Sequence, residues 1–255
     1  MKRIAMLLGA ISFLVASARA DVVVVPNANA SVAGNTDNRF PFLVTGGMRY
    51  QQVFASSQFG SFTGPELINE MDLRNGVFVS QAFTSTISNI QIALSTTSKA
   101  PDGLDPTFAN NTGPDSTTVY NGSLTLSSTN AAGPGNTHVF DVVISFQTPF
   151  LYNPAAGNLL LDVKNISGAN AAVGTNFFDA INNSGDSVSR VFGSEGSPNA
   201  TSGTADSLGL IVQFEFGPSS PAVPEPTSLV LASLGFVLVG GYGWRARRAR
   251  LAGRG

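Results

Sequence analysis

The feature that most limits how this chain can fold is a period-two alternation of apolar and polar side chains. In residues 138–146, Phe140, Val142, Ile144 and Phe146 share one parity while Asp141 and Ser145 take the other. In residues 208–216, Leu208, Leu210, Val212, Phe214 and Phe216 alternate with Gln213 and Glu215. Successive side chains of a strand point to opposite faces, so this spacing suits a sheet with one buried face and cannot form a helical stripe. Residues 48–54, 66–74, 77–80 and 159–163 read as further strands, as do 88–94, where Ile90, Ile92 and Leu94 oppose Asn89 and Gln91. Asn75-Gly76 predicts a turn between two of them, and Asn121-Gly122 predicts a hairpin within residues 117–126, because these dipeptides tolerate positive φ. Between Asp21 and Ala222 no stretch carries a persuasive 3.6-residue stripe. Roughly ten short strands separated by turn-rich loops predict an all-β domain over residues 21–217, a two-sheet antiparallel β-sandwich of jelly-roll type.

Charge narrows the partners. Only 12% of the residues are charged, and between Asp21 and Ala222 there are six basic side chains against fifteen acidic ones. Such a domain repels phosphate backbones, which excludes nucleic acid as a partner. The chain has no cysteine, so disulfides, thiolate zinc sites and thiol catalysis are excluded and the core must hold the fold by itself.

Few residues offer chemistry. The single histidine, His138, rules out a multi-histidine metal site, and there is no Gly-x-Ser-x-Gly elbow or Walker loop. Glu66, Glu70 and Asp72 stand at alternate positions of one predicted strand and would share a face, the paired-carboxylate arrangement a carbohydrate-active enzyme needs. The long irregular stretch 96–114 holds Asp102 and Asp105, with Asp115 beside it and Asn110 and Asn111 within it, hard oxygen ligands of the kind calcium takes. Asp-Gly and Asp-Pro pairs describe plain turns equally well, so the expectation is no cofactor unless calcium binds there. Phe108, Tyr152, Phe177 and Phe178 are the loop aromatics available to stack on sugars.

The two ends carry addresses. Residues 1–20 have the form of a secretory signal peptide: Lys2 and Arg3, an apolar run, then Ala18 and Ala20 as the signal-peptidase site, with the mature chain starting at Asp21. A short linker, 218–222, leads to Val223, Pro224, Glu225 and Pro226. Residues 227–244 follow, eighteen without a charge. That is about 27 Å as a single transmembrane helix, enough for a bilayer. Arg245, Arg247, Arg248 and Arg250 form a basic anchor in the tail 245–255 that the positive-inside rule keeps cytoplasmic. The two prolines hold Glu225 on an extended segment that cannot join the helix.

Proline-glutamate-proline, apolar span and arginine cluster, in that order at the end of the chain, resemble the PEP-CTERM sorting signal of Gram-negative bacteria. The resemblance covers about 30 residues, fewer than a domain of ordinary size. It implies recognition by an exosortase, a membrane-embedded cysteine transpeptidase-like enzyme, and a link to extracellular polysaccharide and the biofilm or floc matrix. Residues 49–54, 89–97 and 150–162 also resemble segments recurring in other PEP-CTERM ectodomains, which implies a shared sandwich fold and no particular activity. The reading that results is an exported, non-enzymatic surface or matrix protein, transiently anchored and sorted by its tail, with glycan contact. The alternatives are a secreted carbohydrate-active enzyme and an unprocessed membrane-anchored structural protein.

Overall fold

The computed structural model describes residues 21–78, 80–170 and 176–217. The chain divides into two units, Met1–Ser219 and Ser220–Gly255, and every described residue belongs to the first. The signal segment with Ala18 and Ala20, the linker 218–222, the motif 223–226, the expected transmembrane helix 227–244 and the arginines from 245 onward lie outside the described residues. Among the described residues no helix is long and apolar enough to cross a membrane. The only helical pieces among them are 3-10 turns, Asn27–Asn29, Ser56–Phe59, Phe108–Asn110 and Pro154–Ala156.

Alternation becomes burial most plainly in β5 (Phe83–Thr97), where Ile90, Ile92 and Leu94 are all fully buried. β5 lies in a six-stranded antiparallel sheet of order β11 (Thr204–Asp206), β10 (Val188–Phe192), β3 (Met48–Phe54), β8 (Asn158–Asn165), β5, β6 (Thr117–Ser128). A four-stranded antiparallel sheet runs β1 (Asp21–Val25), β13 (Val212–Gly217), β4 (Glu66–Leu73), β7 (Val142–Tyr152). Phe54, Ile92, Leu161 and Val163 from the first sheet share one core with Val23, Met71, Ile144 and Phe214 from the second. Phe59 packs edge-on to Tyr152 at 5.0 Å and tilts against Phe214 at 6.0 Å. Ring pairs of this kind add about 0.5–1.5 kcal/mol each beyond the area they bury.

The sandwich has a third, three-stranded sheet that the two-sheet expectation lacked: β12 (Leu208–Leu210), β9 (Phe178–Asn182), β2 (Thr36–Asn38). Residues 208–216, read as one strand, in fact divide at Ile211. Leu210 pairs with Ala180 in the small sheet, and Val212 pairs with Val25 in the four-stranded one. Gln52 holds that crossing in place. Its Nε2 donates to Leu210 O and its Oε1 accepts from Leu210 N, both at 2.8 Å, while the Tyr50 hydroxyl donates to the same Oε1. A buried amide thus does the work of a strand neighbour, satisfying two backbone groups in the interior.

Three other expectations are corrected. Asn121-Gly122 makes no hairpin: β6 runs straight through it, with Gly122 at φ 143° opposite a slip in register between Ile87 and Ile90 of β5. The extra residue of that bulge lies on β5, between Ile87 and Ile90, and Gly122 at positive φ faces it from β6 without a Cβ penalty. Val77 and Phe78 form an exposed bend, not a strand. The strand expected at 138–146 starts at Val142 and continues to Tyr152.

The long loop, residues 98–116, is packed and not free. Leu104 and Phe108 cover Val53, Leu160 and Val191 on the outer face of the six-stranded sheet, forming a second apolar cluster. Beneath it Arg49 pairs with Asp162 at 2.8 Å and lies over the Phe108 ring at 4.6 Å. Gln51 donates to Asp162 at 2.7 Å and to Phe108 O at 3.2 Å, and accepts from Asn111 at 3.0 Å.

Candidate functional site

The densest grouping of chemistry lies on the outer face of the four-stranded sheet. Glu70 and Asp72 project from β4, and β13 places Glu215 opposite Glu70 and Gln213 opposite Asp72. On the other side β7 sets Ser145 beside Glu70 and Val143 beside Asp72. One oxygen from each of Glu70, Asp72 and Glu215 lies within 4.8 Å of the others. Like charges directly across a sheet are destabilising, so this placement has a cost that apolar or mixed pairs would avoid.

Asp72 bears most of that cost. It is 1% exposed, whereas Glu70 and Glu215 are half-buried. Its Oδ2 accepts from Gln213 Nε2 at 2.8 Å, while Oδ1 is buried with no hydrogen-bond partner. Burial pushes its carboxyl up to about 7; the Gln213 hydrogen bond opposes the rise, and the neighbouring Glu70 and Glu215 reinforce it. Ser145 Oγ donates to Glu70 Oε2. A recess of about 660 Å³ reaches Gln213 from the side of β1, lined also by Val22, Asn27, Ser57, Gln58 and Ser61.

Glu66 does not join this face. The register between β4 and β7 shifts between Ile68 and Glu70, so Ile68 and Met71 both turn inward and Glu66 ends up beside Tyr152. The expected trio of Glu66, Glu70 and Asp72 is therefore a pair, completed by Glu215 from another strand. Glu70 and Asp72 share one face of β4, Glu70 half-buried and Asp72 1% exposed.

The loop aspartates are held apart in separate turns. Asp102 accepts from Gly185 N at 2.7 Å and Ser184 Oγ at 3.2 Å. Asp105 accepts from Thr107 N at 2.7 Å and Asn110 Nδ2 at 3.0 Å, and these hydrogen bonds hold its carboxyl below the usual range. Asp115 accepts from Thr96 N at 2.8 Å. Asn111 faces Gln51 and the Asp105 backbone. His138 Nδ1 lies 3.2 Å from Asn75 O, a structural contact.

Of the aromatics expected to stack on sugars, Phe108, Tyr152 and Phe178 are fully buried and cannot. Phe108 anchors the long loop, Tyr152 donates its hydroxyl to Gly157 O at 2.9 Å, and Phe178 packs against Phe42 and Phe83. Phe177 alone stays near the surface. It lines a recess of about 350 Å³ with Asn35, Thr36, Asp37 and Phe78, the last 61% exposed. Phe78 was placed by sequence in a strand, and its exposure could not be read without the bend.

All four arginines of the domain are paired with carboxylates: Arg39 with Glu195, Arg49 with Asp162, Arg74 with Asp179 and Arg190 with Asp206. Arg74 and Asp179 are both wholly buried, and Arg74 also donates to Asn29 O and Val32 O, fastening residues 29–32 to the sheet. With its guanidinium groups engaged internally, the domain shows solvent an acidic surface.

The sequence beyond that domain has a different character, with Glu225 between two prolines, then uncharged residues, then arginines. The described residues form a strand-built domain, and the motif lies in the sequence that follows it. Residues 222–248 match the family model described as the PEP-CTERM protein-sorting motif, spanning Val223 to Pro226, Arg245, Arg247 and Arg248, with Arg250 beyond the match. The chain is a PEP-CTERM domain protein and an exosortase substrate, exported and sorted at the membrane toward the surface or the exterior. No curated protein and no solved structure matches it.

Proposed function

We propose that this protein is a non-enzymatic cargo of the surface or the extracellular polysaccharide matrix. Its tail anchors it transiently and is then cut near Pro224. The observation that carries the reading is the sorting motif at 222–248 behind a strand-built domain whose loops are held by their own side chains. A domain of this kind is a durable module to leave outside the cell, and its acidic surface opposes self-association. Glycan contact falls to the recess of Phe78 and Phe177, where one exposed and one half-buried ring stand beside Asn35 and Thr36.

Intact-mass measurement of the extracellular protein tests the processing. A mass ending near Pro224 supports it, and a mass that includes Arg245 to Arg250 turns the reading into a permanent anchor. Glu225→Ala should change the distribution between membrane and medium; identical fractionation of variant and wild type would count against Glu225 as the recognised acid. For the ligand, a glycan array probed with the secreted protein and with Phe78→Ala should lose signal in the variant. An array without signal for either sinks the glycan reading.

A further inference from the structure

From the outer face of the four-stranded sheet we infer that Glu70, Asp72 and Glu215 form a site for a hard divalent cation of the calcium class. Two observations meet there. The three carboxylates offer one oxygen each within 4.8 Å of one another. Two oxygens on opposite sides of one calcium ion stand about 4.6–5.2 Å apart, given Ca–O distances of roughly 2.3–2.6 Å, so this spacing fits a shared ion. Independently, Asp72 is 1% exposed and its Oδ1 has no partner in the protein, a buried acceptor of full or partial charge with nothing to receive.

No arginine or lysine forms an ion pair with any of the three among the described residues, although Arg49, Arg74, Arg39 and Arg190 each neutralise a carboxylate elsewhere. A cation would supply the missing countercharge and remove the cross-strand repulsion between Glu70 and Glu215. All the available ligands are oxygens, which selects calcium, magnesium or manganese over zinc or copper. Calcium tolerates the irregular geometry of a sheet face better than magnesium, which demands a near-ideal octahedron. Ser145 Oγ and water can complete the shell. The site differs from the loop aspartates Asp102, Asp105 and Asp115, which are held in separate turns and bring no three carboxylates together.

Thermal unfolding of the mature protein in calcium chloride against chelator, repeated with magnesium chloride, tests the inference. Affinity in the range usual for extracellular calcium modules should raise Tm by about 4–8 °C in millimolar calcium, saturably and more than in magnesium. Glu70→Gln/Glu215→Gln should abolish the rise while itself melting higher than wild type in chelator. Asp102→Asn/Asp115→Asn should keep the rise. A wild-type protein indifferent to calcium overturns the site, as does a rise that survives in the Glu70/Glu215 variant. Should the double variant fold poorly, calorimetric titration of calcium into Glu215→Gln decides the same question: unaltered binding overturns the site, and binding weakened at least tenfold upholds it.

Discussion

The two large sheets each turn one face away from the shared core, and each of those faces holds an aspartate largely withdrawn from solvent, Asp72 at 1% exposure and Asp162 with 12% of its side chain exposed. On the six-stranded sheet Asp162 receives Arg49 and Gln51 at 2.8 and 2.7 Å under the loop 98–116. On the four-stranded sheet Asp72 receives only Gln213, beside two glutamates. Both carboxylates have lost most of their contact with water, yet one is matched and the other is not. A buried charge with a hydrogen-bonded counterion holds its surroundings together, whereas a buried charge among like charges is tolerated only if something else compensates it. The first face is therefore a structural seam, and the second has the features of a binding site.

The largest expected effect breaks the seam. Phe108→Ala removes the ring that joins the loop to Val53, Leu160 and Val191 and that supports Arg49, and should cost about 3–4 kcal/mol. Denaturant unfolding measures the loss, and hydrogen exchange should show residues 98–116 opening first. If the loop stays protected in the variant, the second cluster is not what holds it.

Next in size is the same substitution made on both faces, with opposite signs. Asp162→Asn leaves Arg49 without its partner and should destabilise by about 2–3 kcal/mol. Asp72→Asn, measured in chelator at pH 8, should stabilise by about 2 kcal/mol, because it removes an unmatched charge. The sign follows from protonation. The folded carboxyl titrates near 7 and the unfolded one near the ordinary value of 3.8, so between those pH values the folded state holds the extra proton. Its contribution is complete below about pH 4 and is lost as pH rises through 7. The groups facing Asp72 are Glu70 on its own strand and Gln213 and Glu215 on β13. Wild type should thus lose stability from pH 5 to 8 where Asp72→Asn does not. Equal pH profiles for the two proteins would remove the distinction between the faces.

Periodicity made much of this fold legible in the sequence, because burial on one face leaves an unmistakable mark: β5 stands where Ile90 and Ile92 flank Gln91, and β13 where Val212, Phe214 and Phe216 alternate with Gln213 and Glu215. Register left no such mark. Glu215 was recognisable as outward-facing, but only the pairing of β13 with β4 brings it to Glu70. Local turn chemistry misled at Asn121-Gly122, since a glycine facing a bulge and a glycine in a hairpin turn both use positive φ and only the neighbouring strand decides between them. The loop aromatics misled for a related reason. Phe108 lies in a segment that looks polar and open, and the sheet it closes on is distant in sequence, while Tyr152 ends β7 and turns into the main core. The sorting motif was legible because its recognition depends on order along the chain and not on folding.

The smallest expected effect isolates the bulge between Ile68 and Glu70. In sequence Glu66 and Glu70 look equivalent, two acids on one parity of one strand, and without the slip they would stand in the same acidic row. With it, Glu66 pairs with Tyr152 while Glu70 faces Glu215 and Ser145. Glu66→Gln should therefore change stability by no more than about 0.5 kcal/mol, as surface substitutions usually do. It should leave both the pH profile and any calcium response as in wild type. Glu70→Gln relieves repulsion on Asp72 and should flatten the loss between pH 5 and 8. If Glu66→Gln flattens that profile as much as Glu70→Gln does, the strand runs without its slip and the acidic row has Glu66 as a member.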